Sequence, residues 1–180
     1  MKTGKRLWIF HTIPLPGEVG YNTWEKDSAD STGNAGAWGQ ISVDEQLGLA
    51  YLPIELPTGD YYGGHRPGNG LFGESIVAVD LQTGARKWHY QLVHHGIWDF
   101  DIPCAPILVD INVNGRAVKA LAQPTKQAFL DAGIPQPLYW LAHYGVPPIL
   151  PPGFIALASS VSNALLSLSS FPRAVSSSFA

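Results

Sequence analysis

The chain has 180 residues, a net charge of −3 and only 14% charged residues, with Lys and Arg scattered singly or in pairs. That distribution excludes a basic stripe for nucleic acid or anionic lipid, and the length suits one domain or part of a larger one. Six Trp, seven Tyr, 19 Gly and 15 Pro describe strands and turns rather than helices, so an all-β fold is expected.

In chain order, Met1–Arg6 is basic but no apolar run of signal length follows before Pro14 and Pro16, so no export signal is predicted. Thr3-Gly4-Lys5-Arg6-Leu7-Trp8 reads as a Thr-Gly turn leading to a strand at Trp8. Ile41–Asp44 and Leu49–Pro53, joined by Glu45–Gly48, form a predicted hairpin; Ser75–Asp80 and Lys87–Leu92, joined by Leu81–Gly84, form a second. Thr83-Gly84-Ala85-Arg86-Lys87-Trp88 repeats the first pattern at an offset of 80 residues. With roughly 40–50 residues per propeller blade, that offset predicts two blades. The loops Gly17–Gly39 and Thr58–Gly73 have the length that carries sites.

After Leu130 the character changes. Only Asp131 and Arg173 are charged in the last 50 residues, and Ser, Leu and Ala follow no strand or helix period. The apolar stretch from Gly145 to Leu168 holds Pro147, Pro148, Pro151 and Pro152, which argue against a membrane helix. The single Cys104 allows no internal disulfide.

The segment Ala78-Val79-Asp80-Leu81-Gln82-Thr83-Gly84-Ala85-Arg86-Lys87-Trp88 resembles the docking motif that locks neighbouring blades in eight-bladed quinoprotein propellers. Phe10–Glu18, Val93–Pro103 and Ala122–Gln127 resemble, in order and spacing, signatures of the pyrroloquinoline-quinone-dependent glucose and alcohol dehydrogenases. The resemblance covers residues 1–130 and implies about three of eight propeller blades. Residues 131–180 are expected to be a non-matching, irregular tail, such as a shifted reading frame would produce. It also implies that the chain alone is poorly stable and inactive.

What the resemblance implies for the site is specific. Asp99 falls at the general-base position, where a carboxylate takes the substrate hydroxyl proton while hydride passes to the quinone. Asp101, two residues on, can face the same side of an extended segment. Both are hard oxygen donors suited to Ca²⁺ or Mg²⁺. Lys126, 27 residues after Asp99, matches the cation beside the quinone oxygens. Trp38 resembles the indole beneath the cofactor ring, with an ordinary core Trp as the rival reading. Where many relatives carry a metal-binding Asn, this chain has Leu56 with Glu55 beside it, so either Glu55 is a ligand or the metal site is built differently. His94-His95 is not a metal pair, because neighbours in a strand face opposite sides. Tyr61–Arg66 lacks a phosphate-loop ending and is read as a wall of the substrate mouth.

The implied partners are a small sugar or alcohol and an electron acceptor such as a quinone or cytochrome, in the periplasm, with no nucleic acid. A non-catalytic propeller scaffold of the outer-membrane assembly type is the alternative, since it shares the docking motif but needs no cofactor.

Overall fold

The structure, a computed structural model, describes residues 3–113, 115–127 and 130–133. They hold seven strands in two antiparallel sheets: β1 (Ser42–Asp44), β2 (Leu49–Pro53), β3 (Ser75–Asp80) and β4 (Arg86–Gln91) in that order, then β5 (Ile107–Val113), β6 (Arg116–Pro124) and β7 (Leu130–Gly133). Two single-turn 3₁₀ segments lie between Tyr21 and Asp30. Both predicted hairpins form, but they pair with each other through β2 and β3 to make one sheet. Only the first three strands of one sheet lie between the two Trp patterns, and the second pattern runs into the fourth strand of that same sheet, where their spacing predicted two blades; the described residues hold one four-stranded and one three-stranded sheet.

β3 is buried from Ser75 to Val79 because side chains on both faces are covered. Val77 and Val79 join Ala35, Ala50, Ile54, Leu71 and Phe72 in one core, with Trp8, Phe10 and Ile13 packed against it. On the opposite face Ala78 sits between Tyr51 and Trp88, its partners in β2 and β4, and those rings are 5.8 Å apart. Burying each large apolar side chain contributes about 1.5–3 kcal/mol, so this two-sided burial is what holds the sheet.

The connecting turns follow from their acidic residues. Asp44 Oδ1 accepts from the amides of Gln46 and Leu47; Asp80 Oδ1 accepts from those of Gln82 and Thr83 and from the Thr83 hydroxyl. Each carboxylate closes its own turn in place of a backbone carbonyl. The Thr83 amide, with further bonds from Lys87 and the Thr83 hydroxyl, brings the Asp80 carboxyl down to about 2. Gly84, at φ +70, completes the turn, and a Cβ there would stand 2.5 Å from the Trp8 ring. Trp8 lies in an extended segment outside any strand, whereas Trp88 is in β4, so the two indoles do not share a strand environment.

Main-chain bonds continue beyond the strand ends and tie the long loops together. Ile54 N–H donates to Ser75 O and Leu92 N–H to Glu74 O, both at 2.9 Å; Glu74 N–H donates to Glu55 O at 3.2 Å; Glu55 N–H donates to Gly36 O at 2.9 Å. Internal contacts divide the chain after Gly133, three residues past the expected boundary, because β7 pairs with β6 through Gly133. The rest of the tail reading falls on residues 134–180, outside the described residues. No helix among the described residues is long and apolar enough to cross a membrane.

Candidate active site

Three loops at the end of the first sheet converge with the end of β6. Asp99 and Asp101 lie in the segment between β4 and β5, and Lys126 follows β6 by two residues. Lys126 Nζ donates to Asp99 Oδ2 at 3.2 Å and to Asp101 Oδ2 at 3.0 Å. Burial alone would lower the Lys126 pKa, but hydrogen bonds and charge from Asp101 and Asp99 outweigh it and raise it, so the ammonium stays charged.

Each partner is held from behind. Asp101 Oδ1 accepts from Leu56 N–H at 2.9 Å, so the buried Leu56 meets the site through its backbone. Gln123, fully buried near the end of β6, donates from Nε2 to Cys104 O at 3.0 Å. That bond pins the strand end carrying Lys126 to the loop carrying the two aspartates. Asp99 itself has φ +55, in the left-handed region that Asp tolerates better than most residues.

Glu55 is placed differently. Its Oε1 accepts from Gly36 N–H at 2.9 Å, and among the described residues no three His, Cys, Asp or Glu side chains converge as a metal cradle. Of the expected set, Asp99 and Asp101 meet on Lys126, while Glu55 Oε1 holds the Gly36 amide. Trp38 is 57% exposed, so it is not a core Trp among the described residues. Its neighbour Gly39 packs on the Pro103 carbonyl, just past Asp101. Trp98, Tyr61 and Tyr62 are also exposed, at 68%, 73% and 71%.

Two charged residues lie buried beside this cluster: Arg66, read from sequence as part of the substrate-mouth wall, and Glu74, which the sequence reading left without a site role. Arg66 is 2% exposed and Glu74 1%. Burial pushes the Glu74 carboxyl up to about 7 despite the opposing charge of Arg66, with Asp101 and Asp99 adding to the rise. The available signal was position: Glu74 directly precedes the apolar run Ser75–Val79, where a carboxylate is out of place unless it is used.

The sequence matches the family profile of the glucose/ethanol/alcohol dehydrogenase β-propeller domain, a pyrroloquinoline quinone family, over residues 1–133. The chain belongs to that family. As a member of the glucose/ethanol/alcohol dehydrogenase propeller family it is 38% identical over 128 residues to the quinoprotein glucose dehydrogenase of Escherichia coli strain K12, covering 70% of this chain and 16% of that protein. The quinoprotein glucose dehydrogenase of Gluconobacter oxydans strain 621H is 37% identical over 130 residues, 69% of this chain and 15% of that protein. Among solved structures, the quinohemoprotein alcohol dehydrogenase ADHIIG of Pseudomonas putida HK5 matches with a TM-score of 0.66 at 32% identity, covering 72% of this chain and 21% of that one. A europium-containing methanol dehydrogenase matches at 0.59 and 27% identity, covering 67% and 21%. The chain therefore spans about one sixth of the curated relatives it matches.

Proposed function

We propose that this chain supplies part of the active site of a dehydrogenase that oxidises a sugar or simple alcohol by hydride transfer to pyrroloquinoline quinone. The observation that carries the reading is the convergence of Asp99, Asp101 and Lys126 across a 27-residue gap. A bound quinone supplies the hydride acceptor. Asp99 takes the proton of the substrate hydroxyl as general base. Lys126 sets a fixed positive charge where negative charge develops on the reduced cofactor. Trp38 offers the apolar face on which a planar ring stacks.

Asp99 and Asp101 fit a hard divalent cation, Ca²⁺ or Mg²⁺, as two of its roughly six to eight oxygens, and the remaining ligands come from outside this cluster. Glu55 can join them through Oε2 while its Oε1 keeps the Gly36 amide. The two sheets are read as one whole blade and part of the next in an eight-bladed propeller, with residues 134–180 as a separate segment. A periplasmic location and a quinone or cytochrome as final electron acceptor belong to the same reading.

The test is dye-linked dehydrogenase activity of the full-length protein with added pyrroloquinoline quinone and Ca²⁺. Asp99→Asn keeps the shape and removes the base, and is expected to lower turnover ~10²–10⁴-fold with cofactor binding retained. Near-native turnover in that variant overturns the assignment. Wild-type protein that neither binds the quinone nor turns over would favour the non-catalytic scaffold.

A further inference from the structure

We propose that Glu74 and Arg66 form a clamp on the Gly96 peptide that positions Asp99 for proton abstraction, an inference that rests on Asp99 being the base. Gly96 is three residues before Asp99, and its carbonyl accepts from Arg66 Nη2, whose charge faces the Glu74 carboxylate. The Glu74 carboxylate fills the space where a side chain at residue 96 would begin, since a Cβ built on Gly96 would overlap Glu74 Oε2. The clamp and the glycine are therefore matched in shape.

Arg66 is itself fixed, its Nε donating to Thr58 O at 3.1 Å and its Nη2 to Gly59 O at 3.4 Å. Glu74 is anchored through its main chain to Glu55 O and Leu92 N–H. The clamp thus joins the loop before β3 to the loop after β4. Its load is visible in the backbone: His95 and Asp99, flanking Gly96, have φ of +50 and +55. Non-glycine residues in that region cost about 1–2 kcal/mol each and persist only where surrounding contacts over-determine them. The Arg66 bond to Gly96 O and the Glu74 packing on Gly96, with His95 Nδ1 against Gly68 O at 2.8 Å, supply those contacts. Burying Arg66 and Glu74 is costly, and Glu74 Oε1 has no hydrogen-bond partner among the described residues. The arrangement therefore serves placement of the loop more than net stability.

The experiment compares Glu74→Ala, Glu74→Gln and Arg66→Lys in the full-length protein, reading amide hydrogen exchange over residues 93–101, quinone titration, and kcat against KM. Gln keeps the shape that packs against Gly96, so exchange, kcat and quinone affinity should stay within about threefold of wild type. Ala removes that packed group, so exchange in that segment should rise about tenfold or more and kcat fall about 10–100-fold, with KM and quinone affinity little changed. Arg66→Lys gives up the fork geometry that reaches Gly96 O and should raise exchange over the same segment, which keeps the test open if Glu74→Ala does not fold. Unchanged exchange in folded Glu74→Ala or in Arg66→Lys overturns the clamp, as does Glu74→Gln failing as severely as Glu74→Ala. Asp99→Asn run alongside separates the two readings: if it retains turnover while Glu74→Ala still loosens the loop, the base assignment is what fails.

Discussion

The Trp8 indole N–H donates to the carbonyl of Leu81 at 3.0 Å, a bond between residues 73 positions apart. It carries the first Thr-Gly-x-x-x-Trp pattern onto the turn of the second, laying the ring across Gly84. Trp8→Phe keeps most of the ring and removes the donor. The expected loss is about 1 kcal/mol, read as a lowered denaturation midpoint of the full-length protein; no change would mean that the bond contributes nothing to docking.

Gly84→Ala attacks the same junction from the other side. A left-handed non-glycine residue costs about 1–2 kcal/mol, and the new methyl would also displace the Trp8 ring. Trp8→Ala should therefore relieve part of the Gly84→Ala defect. A double-mutant cycle on denaturation midpoints that came out additive would count against the contact.

Lys126→Ala leaves the Asp99 and Asp101 carboxylates facing each other without their shared cation. Quinone affinity should fall by about tenfold or more, equivalent to at least ~1.4 kcal/mol, with reduction slowed as well, whereas Asp99→Asn should spare affinity. Quinone titration followed by cofactor fluorescence separates the two phenotypes.

Gln123→Leu tests how Lys126 is aimed. It keeps an apolar body of similar size in β6 but removes the bond to Cys104 O. The lysine and both aspartates remain, so cofactor affinity should weaken less than in Lys126→Ala. Equal weakening would show that the Gln123–Cys104 bond positions the whole cluster.

His89 gives a pH signature distant from the chemistry. Burial, then the charge of Arg86, depresses its pKa from 6.5 to about 4, and its ring meets Phe72 edge-on. Between those values the unfolded chain binds a proton that the folded one refuses, so the His89 contribution to stability is full above pH 6.5 and is lost as pH drops towards 4, against the opposite slope from Glu74, whose carboxyl is raised from 4.5 to about 7. His89→Gln should remove the His89 slope from that part of the stability profile in chemical denaturation.

Much of this was legible in the residues. The strands of both hairpins were readable because alternation and acidic turn residues are local signals, and the three residues that the resemblance singled out, Asp99, Asp101 and Lys126, form one ion-paired cluster. Joining the hairpins into one sheet was not readable, because the β2–β3 pairing spans the long loop before Ser75 and depends on tertiary packing. The β5–β6 hairpin had a strong signal in Asn114-Gly115 between two apolar runs that was passed over. Arg66 and Glu74 were hidden for a different reason: a charged residue is buried only when another segment covers it, and that cover comes from the Gly96 loop.

The loops around Asp99 take their shape from main-chain bonds among residues 36, 55, 74 and 92, while the outward-facing rings of Tyr61, Tyr62 and Trp98 contribute little to that frame. Side chains at these three positions can therefore be replaced without inserting or deleting residues. Libraries randomised at Tyr61, Tyr62 and Trp98 should keep folded protein in most members, whereas changes at residue 96 should not.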